Sequence, residues 1–119
     1  MSEKEIRTQL LVAGKWQDAA DGRTIPVTNP ATGQIIGQVA HASKTDLEKV
    51  VAGAQAGYEA WRNLTAWDRF VIMRKAADLL RERAEQIGRI MSEEQGKPLA
   101  QAIIEIQGAA GVIEYFGEE

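Results

Sequence analysis

The 119-residue chain has no cysteine and only one histidine, His41. Without cysteine there is no disulfide, no thiolate metal site and no thiol nucleophile among these residues. With a single imidazole and no thiol, a zinc site is not expected, and a hydrolytic triad would need a serine folded against His41. His41 stands where the last expected strand gives way to the first helix, and is read as an exposed loop residue. An excess of positive charge is also missing: the net charge is −3, with bases interleaved among acids, so no basic face is expected for nucleic acid or for an anionic membrane. No apolar run reaches membrane-spanning length. Met1 to Arg7 lack both the apolar stretch of a secretory signal and the acid-free, arginine-rich pattern of a transit peptide, which leads to the expectation of a cytoplasmic protein. No G-x-G-x-x-G follows a strand pattern, so no dinucleotide fingerprint is present.

What is present is ordinary globular composition, 45% hydrophobic and 26% charged, enough for one compact unit burying about 60% of its unfolded surface. The first third reads as strands and turns, within a strand-and-hairpin region spanning residues 1–42. Leu10 to Val12 run through Ala13-Gly14 into Lys15-Trp16, a hairpin whose glycine supplies positive φ. Asp21-Gly22 marks a second turn. Ile25 to Thr28 suggest an edge strand, because Pro26 cannot donate to a ladder. Asn29-Pro30-Ala31-Thr32-Gly33 is turn chemistry, and Gln34 to Val39 complete a second hairpin.

Residues 43–119 read as three helices. Thr45 with Glu48 forms a capping box, and Leu47, Val50, Val51, Ala54, Tyr58 and Trp61 share a face expected to be covered. Thr65 with Asp68 opens a second helix. Its seam, Phe70, Met73, Ala77, Leu80, Ala84, Ile87 and Met91, runs without a break to Gly96. Pro98 starts the third, with Leu99, Ala102, Ile103, Ile106, Ala110 and Ile113 on one face and Ile104, Gly108 and Gly111 on others. A helix apolar on more than one side expects neighbours on more than one side. Glu118 and Glu119 oppose the dipole at its end, so that end is expected to be a cut, and without internal repeats or linker-like stretches no second domain is expected.

The chemical motifs have bland readings beside their sharper ones. Gly96-Lys97-Pro98 suggests a phosphate loop, but a Walker loop needs glycine where Met91 sits and serine or threonine where Pro98 sits, so a helix-to-helix turn is preferred. Gly53 with Gly57, and Gly108 with Gly111, are expected to let helices approach closely. Glu93, Glu94 and Glu105 would serve as general acids or bases only if buried; a solvated Glu105 paired with Gln101 or a basic neighbour is the simpler reading. Trp16, Trp61 and Trp67 have no spacing for base stacking and are read as core anchors.

In order and spacing, Val27-Thr28-Asn29-Pro30-Ala31-Thr32-Gly33, Trp61, Asp68-Arg69, Glu94-Gln95-Gly96-Lys97-Pro98-Leu99 and Glu114-Tyr115-Phe116 resemble the amino terminus of the aldehyde dehydrogenase superfamily. The Glu-Gln-Gly-Lys-Pro-Leu wording is most similar to its succinate-semialdehyde dehydrogenase branch. The resemblance implies an α/β fold: N-terminal β-hairpins plus three helices forming the outer part of an NAD(P)-binding domain, an incomplete Rossmann-like unit. It implies a longer parent enzyme, usually a homo-oligomer, that oxidises an aldehyde to an acid with NAD or NADP. There a cysteine thiolate attacks the aldehyde, a glutamate activates the hydrolytic water, and an asparagine amide helps hold the oxyanion, all in later stretches of the chain. No catalytic or cofactor-binding residue is assigned here, and no cofactor is expected to bind these residues alone; the partners implied are the remainder of the parent enzyme and its aldehyde. The resemblance further implies a monovalent cation near Thr28 and Glu94, and places Glu105 and Gly108 near the mouth of the aldehyde tunnel. Two alternatives stay open, a free-standing helical interaction module derived from such a segment and a self-associating chain.

Overall fold

The computed structural model describes residues 7–119. They fall into two compact units, one containing residues up to Val27 together with Ile35–Ala60, the other containing Thr28–Gln34 and Trp61–Glu119.

In the first unit β1 (Leu10–Val12) and β2 (Lys15–Gln17) pair antiparallel, Leu11 opposite Trp16. Their two-residue loop has positive φ at both positions, 48° at Ala13 and 76° at Gly14. The strands' right-handed twist favours such a loop, although alanine is strained there. A second two-stranded sheet joins β3 (Thr24–Thr28) to β4 (Ile35–Ala40), so Pro26 lies at an edge as expected. At the tip the Asn29 side chain accepts from the Ala31 amide at 2.9 Å, and Gly33 takes φ 73°; this is the asparagine-led turn the sequence indicates.

The helix α1 (Lys44–Arg62) starts one turn signal earlier than Thr45 and Glu48 suggest. Ser43 is the cap: its carbonyl accepts from Leu47, and its hydroxyl and amide both donate to Asp46. Asp46 is fully buried, and both its oxygens also accept from the Ala20 amide, at 3.1 and 3.0 Å. Long-range fastening of the Ala19–Gly22 turn selects Ser43 over Thr45, since burying the carboxylate is tolerated only with several donors. The expected core face of α1 is corrected: Leu47, Val50, Val51, Ala54, Tyr58 and Trp61 are all exposed. What this helix does pack closely is Gly53, where a Cβ would stand 3.1 Å from that of Ala13.

The second unit holds α2 (Ala66–Glu82), α3 (Ala84–Gln95) and α4 (Leu99–Glu118). Thr65 caps α2 as expected, its Oγ1 accepting from Asp68 N at 3.1 Å. The single second helix of the sequence reading is two helices, because Arg83 (φ −99°, ψ 8°) interrupts the chain between them. No glycine or proline marks the break. The seam survives it, with Ala77 and Ala84 buried and Phe70, Met73, Leu80, Ile87 and Met91 at least half-buried. Both helices pack on α4, through its buried Ala102, Ile106 and Ala110. At Gly88 the approach is so close that a Cβ would lie 2.9 Å from Ile103 Cγ1 and 3.2 Å from its amide nitrogen. The bend at Arg83 thus lets α3 close on α4 without losing the seam.

Gly96 ends α3 at φ 71°, its amide bonded to Ser92 O, and the Pro98 carbonyl accepts the first bonds of α4. Gly96-Lys97-Pro98 is therefore the helix-to-helix turn preferred above.

Candidate functional site

Thr28 is the last residue of β3 and Glu94 lies in the final turn of α3; both are exposed. Pro30, two positions after Thr28, packs on Gly96, two positions after Glu94; a Cβ on Gly96 would be 3.0 Å from Pro30 Cγ. The end of α3 has no basic residue in its last turn, so its carbonyl dipoles and Glu94 present negative potential. Among the described residues no three His, Asp or Glu side chains converge as a metal-binding group. Glu93 is exposed like Glu94, and neither meets the burial a general acid needs.

Glu105 and Gly108 sit one turn apart on α4, both exposed. Glu105 is ion-paired with Lys97, the basic neighbour expected by the simpler reading. Nothing lies within 4 Å of a Cβ built on Gly108, leaving open space above that part of the helix. The expectation that glycine pairs bring helices together is not met: Gly53 packs on Ala13 of the β1–β2 loop, and Gly57, Gly108 and Gly111 face open space. Gly88 and Gly117 make close approaches instead, to Ile103 and Met73. Helical spacing alone did not single them out.

His41 is half-buried rather than exposed, its amide bonded to the Arg23 carbonyl at 2.9 Å. The three tryptophans are not core anchors: Trp16, Trp61 and Trp67 are all exposed. Trp16 lies beneath the Arg7 guanidinium, and Trp67 tilts against Phe70 with 5.3 Å between ring centres. Short elements and a small buried core leave such large rings at the surface, where part of each is still covered.

The strongest electrostatic cluster links α2 to α4. Glu114, on α4, accepts from Arg81 and from Arg74 Nε at 3.0 Å, while Asp78 pairs with both arginines. The Arg81 bond holds the Glu114 carboxyl below its usual value, and Arg81 is correspondingly raised. Arg74, Asp78 and Arg81 follow one another at helical spacing on α2, and the fold brings Glu114 of α4 to them. The arrangement fastens α2 to α4.

A dinucleotide needs the carboxyl end of a parallel strand leading into a helix. Both sheets among the described residues are two-stranded antiparallel hairpins, without a parallel strand leading into a helix. An open groove of about 440 Å³ is lined by Trp61, Trp67, Phe70, Met73 and Phe116 among others, without histidine or a nucleophile.

Two small antiparallel hairpins and four helices make the described residues an α/β fragment. Residues 16–119 match the Aldehyde dehydrogenase family, and the chain belongs to that family. It is 42% identical over 114 residues to the mitochondrial succinate-semialdehyde dehydrogenase of Arabidopsis thaliana, covering 96% of this chain and 22% of that protein. It is 45% identical over 116 residues to a glutarate-semialdehyde dehydrogenase of Pseudomonas aeruginosa, covering 98% of this chain and 24% of the relative. A crystal structure of an aldehyde dehydrogenase from Brucella melitensis biovar abortus 2308 superimposes with a TM-score of 0.94 at 43% identity, over 100% of this chain and 25% of that one. The chain thus spans about a quarter of the length of the proteins it matches.

Proposed function

We propose that this chain serves as the amino-terminal part of an NAD(P)-dependent aldehyde dehydrogenase that oxidises an ω-carboxylated aldehyde, such as succinate semialdehyde, to the diacid. The observation that carries this reading is identity of 45% sustained across 98% of the chain. The two relatives named above for their substrates share one chemical class, a short aldehyde bearing a distal carboxylate. With no cysteine in the sequence, the thiohemiacetal chemistry falls to residues outside this chain, as does the nicotinamide cofactor. Alone, the chain is a scaffold without turnover.

Within that enzyme Thr28 and Glu94 contribute oxygens toward a monovalent cation, and Glu105 and Gly108 border the aldehyde's entry. Support comes from the acidic end of α3 beside the β3–β4 tip and from the open space over Gly108. Lys97 neutralises Glu105, which reduces repulsion toward an anionic aldehyde.

The test is a hybrid in which this chain replaces the matched segment of the Pseudomonas aeruginosa glutarate-semialdehyde dehydrogenase. The hybrid is expected to reduce NAD or NADP with semialdehyde, and the 119-residue chain by itself to reduce neither. Turnover by the chain alone, or a folded hybrid without activity, rejects the proposal.

A further inference from the structure

Lys97 is the only basic residue from Ile90 to Glu119, against six acids: Glu93, Glu94, Glu105, Glu114, Glu118 and Glu119. The two arginines that reach α4 from α2, Arg74 and Arg81, are both engaged by Glu114 near its far end. The backbone of Lys97 is held on both sides. Gly96 before it is fixed at φ 71°, Pro98 after it leads into α4, and the Ser92 hydroxyl donates to the Lys97 carbonyl at 2.5 Å. From there the ammonium pairs with Glu105, eight positions further on. Glu105 reaches back to meet it because helical side chains lean toward the N-terminus. The pair is open to water, with 31% of the Lys97 side chain and 51% of the Glu105 side chain exposed. Such a pair adds little to stability, and the turn has its own bonds, so fastening is a poor account of it. An ammonium also carries three donors, and Glu105 engages one of them.

Gly108 follows Glu105 by one turn, and a Cβ there would meet nothing within 4 Å, so open space lies beside the pair. We infer that Lys97 is a specificity-determining residue of the dehydrogenase: its ammonium, presented by Glu105, receives the distal carboxylate of an ω-carboxylated aldehyde and favours it over a neutral aldehyde of equal length. The inference rests on the aldehyde entry proposed above and names the group that selects the substrate there. Glu105 sets the strength of the effect. It holds the ammonium at the opening and competes for it, so the arriving carboxylate exchanges with one already bonded. Without Lys97, Glu105 would be an unpaired negative charge at the same opening and would repel the semialdehyde.

The test measures kcat/KM of the hybrid dehydrogenase for succinate semialdehyde and for butanal, the neutral aldehyde of the same chain length, and reads the ratio of the two. Lys97→Met is expected to lower that ratio about 3–10-fold, chiefly through a higher KM for the semialdehyde. Glu105→Gln is expected to raise the ratio, because the ammonium is freed, and Lys97→Arg to keep it, because the charge remains. Equal losses on both aldehydes in Lys97→Met would make the residue merely structural and overturn the inference. Should Lys97→Met fail to fold, Glu105→Gln decides by the opposite sign: an unchanged or lower ratio overturns the inference. In each of these cases the unsubstituted hybrid still turns over semialdehyde, and the proposed function stands. An unsubstituted hybrid that folds without turnover rejects the underlying function and the inference with it.

Discussion

Asp46 concentrates more structural consequence than any other single residue of the first unit. Its buried carboxylate accepts bonds from the hydroxyl and amide of Ser43 and from the amide of Ala20, and these hold its carboxyl below the usual 3.8. A carboxylate whose folded value is depressed stabilises the fold at pH above the unfolded value and loses that contribution as pH falls through the folded one. Asp46→Asn is therefore expected to be less stable than the parent at neutral pH, with the gap narrowing below pH 3.8; urea unfolding followed by circular dichroism at several pH values measures it. A constant gap across that range would assign the loss to geometry rather than charge. The Ser43-Lys44-Thr45-Asp46 pattern was available in the sequence, beside the equally valid Thr45 to Glu48 pattern. Only the Ala20 amide, 26 positions away in the chain, distinguishes them.

Among the elements, α3 and α1 show how glycine acquires opposite meanings. Gly88 faces Ile103 at a separation that a methyl group would violate, so Gly88→Ala is expected to destabilise. Overpacking costs about 1–3 kcal/mol, more than the roughly 1 kcal/mol gained in helix propensity. Gly57 faces open space, and Gly57→Ala is expected to stabilise the chain by about 0.5–1 kcal/mol. Chemical denaturation of the two variants checks the pair; equal shifts would contradict the packing described for α3. Neither outcome is legible from the G-x-x-x-G spacing, which marks Gly57 and overlooks Gly88. The bend at Arg83 was hidden for a related reason. Helical periodicity reports which side chains share a face, and a one-residue interruption that preserves the face leaves the periodicity intact.

For the whole chain, the decisive feature is the amount of apolar side chain left at the surface: Leu47, Val51 and Tyr58 on α1, Trp67 on α2, and Ile104, Val112 and Phe116 on α4 are all more than half exposed. Single exposed apolar residues are normal in globular proteins, but successive ones on the same helices mark surfaces meant for contact. The isolated chain is accordingly expected to bind a fluorescent hydrophobic dye and to self-associate with rising concentration, whereas the hybrid dehydrogenase does neither. Dye fluorescence and light scattering on both proteins measure this. A strictly monomeric chain indifferent to the dye would favour the free-standing interaction module instead.

By itself the sequence determined the local chemistry: turns where glycine, proline and asparagine limit the backbone, the Thr65 cap, the buried seam through Ala77 and Ala84, the absence of a thiol, and motifs ordered as in the aldehyde dehydrogenases. Each depends on residues near one another in the chain, so spacing suffices to reveal it. Only the tertiary structure decided which apolar faces are covered, that Ser43 rather than Thr45 caps α1, where α2 yields to α3, and that Glu114 joins Arg74 and Arg81. Those outcomes depend on which distant segments lie within packing or hydrogen-bonding distance in the folded chain, and periodicity along the chain carries no information about distance between segments.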